Sequence, residues 1–317
     1  MLDIFSMLLT IMGLILFETI TSIDNAVINA DVLSKMSQRA RRWFLIWGLL
    51  IAVFMVRGLL PWLIVWVANP ALGPIEALTA TFSSDPLIVE SVEHSKPILL
   101  AGGGVFLLFL FLHWLFMEPK NYGLSAEKVV HGFSIWFFAI VSILLALIVW
   151  FAIDINPLMA FGAVVGSTAF FITHGFKENA EQQERQLISG ESNLSDMSKI
   201  LYLEVIDATF SIDGVIGAFA FTLSVPLILI GNGIGAFVVR ELTIHNIEKV
   251  KKYKYLKNGA MYSIFALGII MLLDAFGWHI PEWVSPIITF GLIGFFFWKS
   301  WQEVKKEEAA AGKNPAS

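Results

Sequence analysis

The 317-residue chain has no cysteine and little charge, with 15% Asp, Glu, Lys and Arg against 57% hydrophobic residues. The first absence removes disulfides, thiolate metal ligands and cysteine nucleophiles together. The second excludes a nucleic-acid-binding surface and a disordered chain, neither of which is built from so apolar a composition. Lysine and arginine are missing from Met1 through Val32, and no convincing small-residue cleavage motif follows the first apolar run. That start reads as a retained membrane helix, not a signal peptide. A His-Glu-x-x-His site is also missing, as is any glycine loop set between a strand and a helix, which argues against a metalloprotease and a nucleotide-driven pump.

What the chain does have is long apolar runs. A spanning helix takes about 20 largely apolar residues, and nine segments are plausible: 5–30, 43–68, 97–117, 132–152, 157–176, 200–224, 226–244, 259–276 and 284–298. The expected fold is therefore an all-α polytopic membrane protein of about nine transmembrane helices, with membrane lipids as partners and no nucleic acid. Eleven tryptophans suit headgroup depth. Lys35, Arg39, Arg41 and Arg42 follow the first segment, Lys120 and Lys128 the third, Lys177, Arg185 and Lys199 the fifth, and five lysines from Lys249 to Lys257 the seventh. Acidic Asp85, Glu90 and Glu93, then Asp154, then Asp274 and Glu282 fall on the alternate side. The positive-inside rule then puts the N-terminus outside and the C-terminus inside the cytoplasmic membrane.

Within the apolar runs one acidic pattern occurs twice, as Glu18-Thr-Ile-Thr-Ser22-Ile-Asp24 and as Asp207-Ala-Thr-Phe-Ser211-Ile-Asp213, followed by Asn25 and Gly214. An ionisable group in a bilayer costs several kcal/mol unless paired, hydrated or bound to a cation, so repeated carboxylates point to a site. The expected topology makes the two copies antiparallel, the signature of inverted halves with a ligand site at their interface. The organisation expected is a first half at 1–131 with an external loop at 70–96, two inserted helices and a cytoplasmic linker at 132–198, a second half at 199–298 and a cytoplasmic tail at 299–317, disordered towards its end.

Residues three, four and seven apart share a helix face. Glu18, Ser22 and Asn25 therefore form one stripe, and Glu204, Asp207, Ser211 and Gly214 another. Asp24 and Asp213 lie about 120 degrees round from the first acid of each motif at 100 degrees per residue. They would join the same site only if the helices unwound near Ser22 to Asn25 and Ser211 to Gly214. Such an unwinding would also release backbone carbonyls, and carboxylate, amide and carbonyl oxygens suit a hard divalent cation such as manganese, calcium or magnesium. The candidate metal-binding set is Glu18, Asp24, Asn25, Glu204, Asp207, Ser211 and Asp213, with no catalytic residue and no resident cofactor.

Each of these residues also has a purely structural reading. The acids can be interhelical hydrogen-bond partners, and Ser22 and Ser211 can bond backward to their own helix. Arg57 and Arg240 either gate or only pair. His113 and His174 can carry protons near neutral pH, but packing is favoured for both. Glu118 and Asp274 are gate acids or solvated caps. Gly102-Gly103-Gly104 and the series Gly231, Gly233 and Gly235 mark close crossings.

The two Ser-Ile-Asp motifs, the helix bearing Arg57, the Gly102-Gly-Gly-Val-Phe-Leu-Leu run and the Leu256-Lys-Asn-Gly-Ala segment resemble the TerC family of integral membrane proteins. The resemblance covers the first helix through the eighth and implies tellurium resistance, export of manganese or calcium, and kinship to a lysine-exporter-like superfamily with inverted repeats. The outer region near Asp85 to Glu93 and the central polar linker depart from that family's compact form. The leading expectation is a divalent-cation exporter, most of all for Mn2+, working by alternating access with protons as a candidate coupling ion. The alternative is a membrane stress-resistance or interaction component, with a membrane-protein partner and no transport. An intramembrane enzyme ranks below both.

Overall fold

The computed structural model describes residues 4–69, 71–83, 85–188, 195–245 and 247–311. Within them the chain is helical and carries no strand. The principal helices are α1 (Ile4–Thr21), α2 (Ile23–Ser34), α3 (Gln38–Trp43), α4 (Leu59–Ala68), α5 (Pro86–Phe116), α6 (Phe137–Ile153), α7 (Pro157–Ile188), α8 (Asp196–Ala218), α9 (Val225–His245), α10 (Leu256–Ala275) and α11 (Val284–Ala311). Between α3 and α4 the path stays helical but winds with π geometry over Phe44–Gly48 and Ala52–Gly58.

The protein is an all-α, multi-pass membrane protein. Seven described helices are long and apolar enough to cross a bilayer: Ile4–Thr21, Pro86–Phe116, Ser134–Ile153, Pro157–Glu178, Val225–His245, Leu256–Ala275 and Val284–Ala309. The expected count of nine is not reached, for two physical reasons. The second expected segment, apolar throughout except for Arg57, is broken by π turns, and the sixth, now α8, carries Glu204, Asp207 and Asp213 along its length. Rows of exposed large apolar side chains support the membrane reading: Phe138, Ile143, Leu147 and Trp150 on α6, and Phe161, Val165 and Ile172 on α7. Continuous apolar faces of this kind would drive aggregation in water and are satisfied by lipid.

Three boundaries differ from the sequence reading. Helix α5 starts at Pro86, not near Pro97, because Asp85 Oδ1 accepts from Leu87 N at 3.0 Å and Pro86 fills the first turn. A capped start with proline at its head is a strong nucleation signal, so much of the expected outer loop becomes helix. Helix α7 runs on to Ile188, so the expected polar linker is helical up to there, and residues 189–194 fall outside the described set. The expected tail is likewise helix through Ala311.

Helix α5 is the central post, packed along both α7 and α10. Its crossing with α7 brings backbones together: a Cβ placed on Gly166 would lie 2.0 Å from the Gly102 carbonyl oxygen. Any side chain there would push the helices apart, the small-residue packing expected in membranes. Phe106, Phe109, Phe137 and Phe170 fill the core around this crossing with edge-on rings. On the other side α1 lies along α9, while α8 lies against the π segment Ala52–Gly58.

Candidate functional site

The first acidic motif spans a kink. Helix α1 ends at Thr21 and α2 starts at Ile23, with Ser22 between them at φ −89° and ψ 4°. The kink is shallow: Ser22 N still reaches Glu18 O at 3.1 Å, and Ala26 N reaches Ser22 O at 2.9 Å. Helix α8 runs unbroken through Ser211, Asp213 and Gly214. The unwinding expected to release carbonyls is thus reduced to a kink in one copy and absent from the other. Threonine and serine hydroxyls bonding back to Ile15, Phe17 and Asp207 carbonyls keep the ladder satisfied.

With the helices intact, the first acids of both copies meet at one guanidinium. Arg57, on the π-helical segment, donates from Nε to Glu18 Oε1 at 2.7 Å and from a terminal nitrogen to Asp207 Oδ2 at 3.1 Å. Glu18 is 1% exposed and Arg57 3%, so these charges have lost their water and depend on each other. Ser22 Oγ donates to Glu18 Oε1 at 2.9 Å, and Asn25 Nδ2 donates to Asp207 Oδ1. A π turn widens the helix and is frequent where a side chain must be re-aimed at a site.

The acids are only partly satisfied. Glu18 Oε2, Asn25 Oδ1, Asn29 Oδ1 and Glu204 Oε1 are buried without a hydrogen-bond partner, as is the donor Nε of Arg240 on the adjoining cavity. Buried acceptors in this state each cost roughly 1–3 kcal/mol, so a cluster of them marks a place that a ligand or water completes. A cavity of about 60 Å³ adjoins the triad, lined among others by Asn29, Arg57, Glu204, Asp207 and Arg240. Two glycines make the space for Glu18: a Cβ on Gly214 would fall 2.8 Å from Glu18 Oε2, and one on Gly235 would fall 2.7 Å from Glu18 Cβ.

The second acids of the motifs go elsewhere. Asp24 and Asp213 line a separate chamber of about 220 Å³ together with Glu118, Lys177 and Lys257. Lys257 Nζ bridges Asp24 Oδ2 at 2.8 Å and Glu118 Oε2 at 3.0 Å, and Lys177 Nζ lies 3.9 Å from Asp213 Oδ2. The seven candidate ligands therefore divide. Glu18, Asn25 and Asp207 are joined by hydrogen bonds to Arg57 or to each other, Glu204 lines the adjoining cavity, Ser211 spends its hydroxyl on its own helix, and Asp24 and Asp213 face a second space. The cause is the offset between the two acids, which an unbroken helix turns to different faces. Among the described residues no three Asp, Glu, His or Cys side chains converge as a metal-binding group.

Glu118, just past the end of α5, is the charged hub of the second chamber. Burial alone would raise its carboxyl, but His113, Lys257 and Lys177 together hold it well below the usual carboxylate range. His113 Nδ1 lies 3.5 Å from Glu118 Oε1. Sequence reasoning placed Glu118 near a gate but not Lys257 or Lys177, whose lysines read as loop charges. Their signal was position: Lys257 opens α10 beside its apolar stretch. Buried Glu127 was also missed. It accepts from Gly123 N at 2.7 Å and Asn258 Nδ2 at 2.9 Å and ties the loop after α5 to α10.

Comparisons with known proteins agree with a membrane protein and stop short of an activity. A family model described as "Protein of unknown function (DUF475)" matches residues 23–307. A Bacillus subtilis (strain 168) protein, "Uncharacterized membrane protein YceF", is 27% identical over 117 residues. That match takes in 36% of this chain and 46% of the relative, so the chain spans about half the length of that protein. No solved structure matches.

Proposed function

Because the chain belongs to the DUF475 family, whose description names no activity, we propose its function from the site itself: export of a divalent cation, Mn2+ before Ca2+. The observation that carries this reading is the set of partnerless oxygens around a buried Glu18–Arg57–Asp207 triad. Carboxylate and amide oxygens are ligands for a hard cation, which Arg57 replaces in the ion-free state as a tethered positive charge. An arriving ion displaces the guanidinium from one acid. Glu204, which lines the same cavity and has a partnerless oxygen, is the next carboxylate within the site.

Alternating access is supported by reciprocal packing. The first helix of each proposed half lies against the second of the other, α1 on α9 and α8 on Ala52–Gly58, while the third helices α5 and α10 pack together. Exchange of two such halves would open the triad to alternate sides. The Lys257 chamber lies at the lysine-rich end, and the positive-inside rule supports a reading with that end in the cytoplasm, the N-terminus outside and the protein in the cytoplasmic membrane. Resemblance to the TerC family, with its manganese export and tellurium resistance, fits this proposal.

Metal-resolved flux by purified protein in liposomes tests it. Wild type is expected to carry Mn2+, and Glu18→Gln and Asp207→Asn to carry at least about tenfold less, the loss expected when a carboxylate ligand is removed. Absence of divalent-cation flux from wild type across imposed proton gradients would sink the exporter reading and favour a membrane component without transport.

A further inference from the structure

Beside the Lys257 chamber stands a pair of imidazoles that the cation reading does not use. The rings of His113 on α5 and His174 on α7 lie 3.9 Å apart between centroids, tilted by 53°. Phe137 meets His113 edge-on at 5.4 Å, and Phe170 stacks on His174 at 5.7 Å with planes 3° apart. His113 is 8% exposed. Each ring has a carboxylate nearby: Glu118 Oε1 is 3.5 Å from His113 Nδ1, and Glu178 Oε1 is 3.9 Å from His174 Nε2. Glu118 faces the chamber and Glu178 is largely exposed.

We propose that His113 and His174 form a proton-binding site that holds one proton between them and passes its charge to the Lys257 chamber through Glu118. Two imidazolium rings at this distance would repel each other, so the pair is built to carry a single positive charge at a time. Packing alone would explain one buried imidazole. It does not explain two adjacent rings, each with a carboxylate oxygen within 4 Å of a ring nitrogen.

The charges around the pair define the consequence. Glu118 is shared between His113 and Lys257, and Lys257 is shared between Glu118 and Asp24. Lys177 and Asp213 complete the chamber wall, and Lys120 lies on the loop beyond Glu118. With the pair neutral, Glu118 belongs to Lys257 and the bridge to Asp24 is closed. Protonation gives Glu118 a second cation and weakens its hold on Lys257. The bridge between α2 and the start of α10 loosens, and the proton moves only between imidazole nitrogen and water or carboxylate. This inference rests on the cation-carrier reading for what the proton is used for, but not for where it binds.

The test has two arms, both on the full chain. In the first, histidine-selective NMR follows imidazole protonation in nanodiscs without metal. His174→Asn is expected to change the proton affinity of His113 about tenfold or more, and Glu118→Gln to change it comparably, as strongly interacting sites require. If His113 titrates identically in wild type and His174→Asn, the shared site does not exist, and His174→Gln provides the same comparison should the first variant fail to fold. In the second arm, liposomes with an internal pH indicator receive Mn2+. Wild type is expected to move protons with metal, and the His113→Asn/His174→Asn double variant to move metal with that proton movement lost. Equal proton movement per metal in both proteins overturns the coupling. If wild type moves no metal, the exporter reading fails, and the NMR arm alone decides the proton site.

Discussion

Glu18 and Asp24 leave the same kinked segment six positions apart and end in opposite settings. Glu18 is sealed against Arg57, the two 1% and 3% exposed, whereas Asp24 is 46% exposed and meets Lys257, itself 40% exposed, in an open chamber. The chemistry of the bridging base follows the setting. A guanidinium reaches two carboxylates from fixed directions and is weakly hydrated, so it suits the dry triad. A lysine ammonium is a point charge that keeps its water and lets go easily. The dry centre is built to hold and the wet chamber to exchange.

That contrast sets the expected size of each perturbation. Arg57→Ala strips the only cation hydrogen-bonded to Glu18 and Asp207 among the described residues, and should destabilise the folded protein by about 3–5 kcal/mol, the cost of leaving buried charge uncompensated. Denaturant unfolding in detergent measures it, and a loss no larger than that of Lys257→Gln would erase the distinction between the two regions. Gly235→Ala comes next, at about 1–3 kcal/mol by the same measurement, because its Cβ would press on Glu18 inside packed structure.

Lys257→Gln has the smallest effect at neutral pH, about 1 kcal/mol or less, since Lys257 and its partner Asp24 are 40% and 46% exposed. Its signature is in acid. Glu118 has a depressed carboxyl, so its contribution is fully present above the ordinary carboxylate range and is lost as pH falls through the depressed folded value. Lys257→Gln removes part of that depression, so the acid-side loss of stability should be smaller and level off at higher pH. A pH series of thermal melts with an unchanged acid limb would show that Lys257 does not hold Glu118.

Much of this was legible in the chain. The multi-pass helical fold follows from long apolar runs, and the meeting of Glu18 with Asp207 follows from a repeated motif on helices of opposite direction. The separation of Asp24 from Glu18 was also visible as a helical angle. The expectation of a broken turn hid it, because Asn25 and Gly214 permit a break without requiring one. At Gly214 the glycine serves the approach of Glu18 Oε2 instead of a backbone distortion. The π turns that aim Arg57 and the bridge from Lys257 to Glu118 had no local signal, since both arise from packing between distant segments. Ser211 looked like a ligand because its position matches Ser22, but only Ser22 faces a carboxylate.

The division of the acids into two sites is most directly tested by Mn2+ binding to the purified full chain in nanodiscs, followed by electron paramagnetic resonance. Bound Mn2+ is expected in wild type, Asp24→Asn and Asp213→Asn, with loss of the bound signal in Glu18→Gln and Asp207→Asn. Retention in Glu18→Gln together with loss in Asp24→Asn would place the cation in the Lys257 chamber and contradict the account.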